Sequence, residues 1–438
     1  MASTYLTKTF SGAGNTKKWT WSAWVKKSQE SSSNTYNQVL FGTAGSSYDT
    51  IAFQTTPNNP KFFANISGDF ERTTNALHTD CNGWYHLVVT FDSAQGTAAD
   101  RLKLYVNGVQ QSSFSDNTNG NQNDDSYINT TDAHQIGKQA GLSRYFDGVM
   151  SHVHFCDGYA YAASDFGETD STTGEWKIKV PSVSYGTNGF FILKDGNTIT
   201  DSSTNSNDWS LGGGTLTKTE DCPSNVFATW NPLIRSTQTL SNGNTTVTNG
   251  SGANWRVAGT TLGATSGKYY CEIKITEKGG GSQVGLMNLD ELPASMATDI
   301  GSAEWSWSYY HTGNKRHNNS STSYGATYTT GDIIGIAMDL DNNKLYFSKN
   351  GTWQDSGDPT SGSTGTGSAF DLDAGGTYAF AASSNDDGTD PIQSANFGNG
   401  YFGTTAVSSA GTNASNLGIF EYDVPTGYTA LCTKGLNE

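Results

Sequence analysis

The sequence predicts an all-β chain made of two tandem antiparallel β-sandwiches, and three observations carry that prediction. No long window places apolar residues at i, i+3, i+4 and i+7, so amphipathic helices are not signalled. Short runs with strand-like alternation recur along the chain, divided by Gly, Asn, Asp and Ser. At 438 residues the chain exceeds one ordinary domain, and its 34 % hydrophobic fraction, supplemented by 51 glycines, still suffices for packed cores.

The strands follow in order. WTWSAWVKK (Trp19–Lys27) sets Trp19, Trp21, Ala23 and Val25 on one face and Trp24 on the other. WYHLVVTFD (Trp84–Asp92), LKLYVNGVQ (Leu102–Gln110) and FDGVMSHVHFCDG (Phe146–Gly158) complete the first set, with Asn107–Gly108 as a hairpin turn. The second set is KYYCEIKIT (Lys268–Thr276), DIIGIAMDLDNNKLYFSKNGTW (Asp332–Trp353) and TYAFAAS (Thr377–Ser383). Within it, DNNK (Asp341–Lys344) reads as a turn, because Asn tolerates the positive φ such turns require. These runs place a first sandwich over residues 1–181, a linking segment with short strands over 182–233, and a second sandwich over 234–402. Residues 403–438 form a last segment: a Ser/Gly/Thr-rich stretch, then FEYDVPTGYTALC (Phe420–Cys432), too apolar for a solvated tail and expected to dock on the second sandwich.

Charge excludes one class of partner. Asp and Glu number 41 against 25 Lys and Arg, a net charge of −16, and no basic run exceeds two residues. Nucleic acid is therefore not expected as a partner. No apolar stretch approaches 18 residues, so no membrane insertion is expected, and MASTYLTKTFSGAGN lacks the apolar centre of an export signal. That start predicts folding in the cytoplasm where the chain is made. The five cysteines (Cys81, Cys156, Cys222, Cys271, Cys432) are an odd number without C-x-x-C spacing, and they read as buried free thiols.

Several segments resemble known families. GWYHLVVTFD, LKLYVNGVQ, QIG and YFDGVMSHVHF resemble successive strands of laminin-G-like, concanavalin A-like domains. GKYYCEIKI, YGATYTTGDIIGIAMDLDNNKLYFSKNGTW and the late NFG resemble the SPRY domain, another two-sheet sandwich. DGYAYAASDFGETDSTTGEWKIK, YGTNGFFILKD, DSSTNSNDW, DCPSNVFATWNPL and the ending VPTGYTALCTKGLNE resemble lectin-like virion surface proteins of marine and cyanobacterial tailed phages. That resemblance implies a non-enzymatic virion protein, a fibre or spike component that attaches to host-surface glycans and contacts other virion proteins of capsid or tail. The laminin-G-like strands begin almost at Met1, where a phage tail fibre usually carries an attachment domain. A capsid decoration or cement protein is therefore the alternative reading. Fibres and spikes are commonly trimers, so a homotrimer is the assembly the resemblance implies, although no heptad run exists to impose one.

Candidate chemistry is sparse. A retaining glycosidase needs two carboxylates about 5–5.5 Å apart, which on a strand appear as an alternating acidic triplet. None exists, and the nearest pair, Asp339 and Asp341, abuts the DNNK turn. A polysaccharide hydrolase is thus a minor alternative. His152 and His154 could share a strand face, with His86 or Asp157 as a third metal ligand. Laminin-G-like domains often hold Ca²⁺ at the rim, and the loop DNTNGNQNDDS (Asp116–Ser126) offers hard oxygens for it, with Asp116, Asp124 and Asp125 as candidate ligands. In SAEWSWSYYHTGNKRHNNSS (Ser302–Ser321), Trp305, Trp307 and Tyr309 alternate onto one face and read as core. Tyr310, His311, Lys315, Arg316 and His317 are the candidate exposed ligand-binding residues, with Lys315 and Arg316 expected in a loop, since rim loops of SPRY domains form recognition surfaces.

Overall fold

The computed structural model describes residues 3–29, 38–43, 49–56, 59–139, 142, 144–194, 196–250, 252 and 254–437. Strand accounts for 44 % and helix for 4 %, so the protein is all-β. The chain divides into two compact units, Met1–Lys218 and Thr219–Glu438.

The first unit is a sandwich of an eight-stranded and a six-stranded sheet. At the centre of the six-stranded sheet, Lys18–Lys27 lies antiparallel between Tyr85–Asp92 and Gly148–Asp157. Alternation turns Trp19, Trp21, Ala23 and Val25 into the core between the sheets, where Phe41, Phe53, Leu87 and Phe155 meet them. Trp24 takes the opposite face and stacks on His86 at 4.9 Å. Asn107 and Gly108, at φ 47° and 82°, make the hairpin from Leu102–Val106 to Val109–Gln110. Only residues that tolerate positive φ close so tight a turn.

The stretch 182–233 is shared between the units rather than standing between them. Phe190–Ile192 pairs with Gly148–Asp157, Ser210–Gly213 pairs with Tyr5–Thr9, and Trp209 enters the first core. Trp230–Arg235 pairs instead with Arg256–Thr260 in the second unit. Strands of three or four residues are too short for a periodicity to mark them, and their partners lie far away in sequence.

The second unit packs a seven-stranded sheet on a nine-stranded one around Trp230, Tyr269, Ile273, Trp307, Tyr309, Phe347, Tyr378 and Phe380. Asp341–Lys344 turns Ile333–Asp339 back onto Lys344–Lys349, with Asn343 at φ 56°. Phe420, Val424, Tyr428, Ala430 and Cys432 pack as a cluster with Tyr270, Ala337 and Tyr346 on the outer side of the nine-stranded sheet. Thr429–Ala430 adds parallel pairing to Tyr269 and Tyr270. Beneath this segment lies Glu272, fully buried, whose carboxylate accepts from the backbone N–H groups of Glu421 and Tyr422, both at 2.8 Å. None of the five cysteines is in a disulfide; four are buried and Cys222 is half-buried.

Candidate functional site

The outer face of the seven-stranded sheet carries one cluster of partly exposed aromatic and charged groups. Ser306–Tyr310 pairs antiparallel with Gly281–Asn288 on one side and with Asn314–His317 on the other. Because side chains alternate across a strand, Trp307 and Tyr309 point into the core while Ser306, Ser308 and Tyr310 point out. The facing strand follows the same parity, with Tyr309 opposite Lys315, Ser308 opposite Arg316 and Trp307 opposite His317.

This register separates the five candidate residues. Arg316 joins Tyr310 on the outer face, its guanidinium 5.7 Å from the ring centroid, a cation–π separation. It also pairs with Asp299 Oδ2, which accepts at 2.9 Å from Gln283 Nε2; Ser308 Oγ in turn donates to Gln283 Oε1 at 2.6 Å. His311 sits edge-on to Tyr310 at 4.4 Å, and Trp255 meets the Tyr310 ring at 5.8 Å in a T-shaped contact. Burial, then the Lys278 charge, lowers the His311 pKa; burial raises that of Tyr310. Lys315 and His317 turn inward instead. Lys315 Nζ donates to the Ala369 carbonyl at 2.6 Å, over the Tyr324 and Phe370 rings, and His317 stacks on Trp307 at 4.7 Å. The expectation of Lys315 and Arg316 in a loop, and of His317 exposed beside them, is therefore corrected: all three are half-buried on a strand, and only Arg316 faces the site.

Three members of the site escaped sequence reading. Trp255 stands alone in GANWRV, without a repeating pattern around it, and Asp299 comes from the coil after Met296. Asn385 pairs across from Gly281, and its Oδ1 is buried without a hydrogen-bond partner. A side chain at Gly281 would collide with both Asn385 Oδ1 and the Trp255 ring, at 2.6 and 2.8 Å from its Cβ, so the glycine keeps the two together. The cluster thus offers ring surface and a guanidinium donor. Such groups suit a hydroxyl-rich or amide-rich ligand, and Trp, Tyr and Arg supply most binding energy at recognition surfaces.

The other candidates do not assemble. Asp116 lies on the edge strand Phe114–Thr118, Asp124 Oδ2 accepts from Asn121 N within its own loop, and Asp125 accepts from Thr16 and pairs with Lys17 at 3.8 Å. Among the described residues no three His, Cys, Asp or Glu side chains come together to hold a metal, and Asp116, Asp124 and Asp125 keep separate partners. Asp339 is fully buried and pairs with Lys268 at 2.9 Å, and Asp341 accepts from Gly267 N, so both carboxylates serve the hairpin. His152 sits in a bulge at φ 48°, which breaks the alternation expected to align it with His154. The His154 ring stacks on Phe191 at 3.9 Å. Asp157 accepts four N–H bonds, from Asn15, Asn129, Thr187 and Asn188.

The buried histidines make a test of acid stability. Trp176 Nε1, which can only donate, gives its hydrogen to His86 Nδ1 at 3.0 Å, so His86 is neutral and offers Nε2–H to Ser22. Burial lowers His86 to about 3, His78 and His134 to about 4, and His154 well below the ordinary value. Unfolded, each takes a proton below about pH 6.5, so acid favours the unfolded chain. Burial raises Glu272 to about 7 and Asp49 to about 6; their protons favour the folded chain in acid and are lost as pH rises. All four histidines lie in the first unit, where they outnumber the raised carboxylates Asp49, Glu71 and Asp147, so that unit loses stability as pH falls below about 6.5. Urea midpoints should drop from pH 6.5 to pH 5; a flat or rising midpoint contradicts this balance.

Comparison with known proteins defines the class. Residues 2–164 match the concanavalin A-like lectin/glucanases superfamily, and residues 268–368 match the SPRY domain. The protein therefore carries a concanavalin-like and a SPRY β-sandwich, folds of protein- and carbohydrate-binding modules. Among curated proteins it is similar to the ATP-dependent RNA helicase DDX1 of Xenopus laevis, 35 % identical over 97 residues, covering 22 % of this chain and 12 % of the helicase. It is also similar to Ran-binding protein 9 of Homo sapiens, 34 % identical over 99 residues, covering 20 % of this chain and 12 % of that protein. The chain thus spans about an eighth of the length of these relatives. Among solved structures, the SPRY domain of human HERC1 aligns at 21 % identity and TM-score 0.31, covering 38 % of this chain and 96 % of that one. Stonustoxin aligns at 15 % identity and TM-score 0.29, covering 50 % and 34 %.

Proposed function

We propose that this is a non-enzymatic recognition protein of a phage virion surface, a fibre or spike component that attaches to host-surface glycans. The observation that carries the reading is the partly exposed Trp255–Tyr310–Arg316 cluster. Ring faces take the apolar side of a sugar, while the guanidinium takes its hydroxyls. The virion setting is supported by the resemblance of residues 157–233 and 424–438 to phage surface proteins. The absence of turnover is supported by Asp339 and Asp341, whose carboxylates are taken up by Lys268, Asn342 and Gly267.

The test is a glycan array followed by titration of any bound glycan. Trp255→Ala and Tyr310→Ala are each expected to weaken binding at least tenfold, about 1.4 kcal/mol or more, with little change in melting temperature. Unchanged binding in both variants removes the site from the reading, and release of reducing sugars from the glycan refutes a non-enzymatic role. Immunogold labelling of intact virions decides the setting. Label on fibres or tail tip agrees with host attachment, label spread over the head favours capsid decoration, and no label removes the virion from the reading.

A further inference from the structure

In the first unit a small hairpin, Gly167–Thr169 paired with Trp176–Ile178, lies over the outer face of the six-stranded sheet. Little of it is buried. Glu168, Thr169, residues 171–175 and Lys177 are exposed, and Trp176 is the side chain that reaches the sheet. Its ring packs on Val88, Tyr105 and Ala163 and stacks on His86 at 5.9 Å. A Cβ on Gly108 or Gly167 would sit 2.6 or 2.5 Å from that ring, so two glycines make its seat. One hydrogen bond fastens this anchor, from Trp176 Nε1 to His86 Nδ1 at 3.0 Å. An indole nitrogen only donates, so the bond exists only while Nδ1 carries no proton. The His86 ring is fully buried, with Ser22 Oγ 2.9 Å from Nε2 and Trp24 stacked on it at 4.9 Å.

We propose that the Trp176 hairpin is an acid-released cover, fastened to the sheet by neutral His86 and let go when His86 Nδ1 takes a proton. Protonation sets two donors face to face and leaves a cation between the Trp24 and Trp176 rings without water. Ring faces attract a cation, but that recovers only part of the lost hydration. The surroundings supply no counter-charge. Ser22 and Trp24 face His86 from their strand, Trp176 from the hairpin, and His152, itself positive in acid, from Gly148–Asp157. The nearby carboxylates are engaged elsewhere: Glu168 and Asp170 with Lys177, Asp100 with Lys103, and Asp165 with the amide of Ala162. His154, also buried on this face, differs. Its partner Tyr185 Oη, at 2.9 Å, can accept as well as donate, so a proton on His154 breaks no bond. The docked form therefore binds the His86 proton more weakly than the undocked form, whose imidazole returns toward its ordinary value of about 6.5. Docking is complete above that pH and weakens as pH falls, by up to about tenfold per unit. Release uncovers Trp24, Val88 and Tyr105, while the core on the other side of the sheet stays packed.

Indole hydrogen exchange, followed by NMR on the full chain, tests the proposal. Each rate is divided by that of free indole at the same pH to give an opening constant. Trp19 Nε1, bonded to Ser126 Oγ at 2.9 Å inside the same unit, reports unfolding of the whole unit. From pH 7 to pH 4.5 the opening constant at Trp176 should rise at least tenfold and stay at least tenfold above that at Trp19. A Trp176 constant that does not rise overturns the proposal. So does one equal to that of Trp19, since the hairpin would then leave only when the unit unfolds. His86→Gln offers an acceptor that does not titrate, and it should leave the opening constant at Trp176 independent of pH. A rise like that of the parent overturns His86 as the fastening. Should the glutamine chain fail to fold, the ring nitrogens of His86 are followed in the parent instead. Their protonation and the loss of Trp176 protection must share one midpoint, and protonation with Trp176 still protected overturns the proposal.

Discussion

Trp307→Ala is expected to destabilise the second unit by about 3–5 kcal/mol, the range for truncating a fully buried tryptophan. Trp307 is 1 % exposed and lies between two rings, edge-on to Tyr378 at 5.4 Å and stacked on His317 at 4.7 Å. Alanine removes both contacts and leaves a cavity that strands hydrogen-bonded on either side cannot close. For a unit of this size the loss corresponds to a melting transition lower by roughly 10–15 °C. Calorimetry of Trp307→Ala beside Trp255→Ala makes the comparison internal. Trp255 is half-exposed, and its removal should move the transition little. A Trp307→Ala loss under 1 kcal/mol would mean that this ring is not in the core.

The second large effect is expected at Glu272. Its carboxylate, fully buried, accepts from Glu421 N and Tyr422 N, and also from Tyr270 Oη and Asn396 Nδ2, both at 3.2 Å. Glu272→Leu orphans the two amides of the C-terminal segment, at roughly 1–3 kcal/mol each, so a loss of roughly 2–6 kcal/mol follows. The loss should be local before it is global. Hydrogen exchange at Glu421 and Tyr422 should accelerate, and the segment 420–432 should become sensitive to protease while the strands around Trp307 stay protected. Glu272→Gln keeps one acceptor oxygen and should lie between parent and leucine variant. Exchange at Glu421 and Tyr422 that is unchanged in Glu272→Leu would show that packing of Phe420 and Tyr428, rather than the carboxylate, holds the segment.

Much of the fold was legible because strand periodicity is a local property. Trp19, Trp21, Ala23 and Val25 face one way because alternate Cβ atoms must, and Asn107–Gly108 and Asn343 mark turns because few other residues accept positive φ. The same alternation, applied across Tyr309–Lys315, would have separated Arg316 from Lys315 and His317. Only the strand that holds them was missing, since NKRH has no apolar alternation to reveal it. The stretch 182–218 was harder. Its short strands gain their stability from partners such as Tyr5–Thr9, some 200 residues away, and such pairing leaves no local pattern.

The sequence by itself determined the all-β class, the two sandwiches and their turns, the acidic surface, and the alternation that commits each long strand's apolar face to a core. Only the tertiary structure decided which groups converge. Trp255, Asp299, Tyr310, Arg316 and Asn385 come from separate parts of the second unit and meet on one sheet face. Asp116, Asp124 and Asp125, close in sequence, point to different partners. The physical reason is that local propensity sets the direction of a side chain along its own strand, whereas its neighbours are set by pairing between strands distant in the chain.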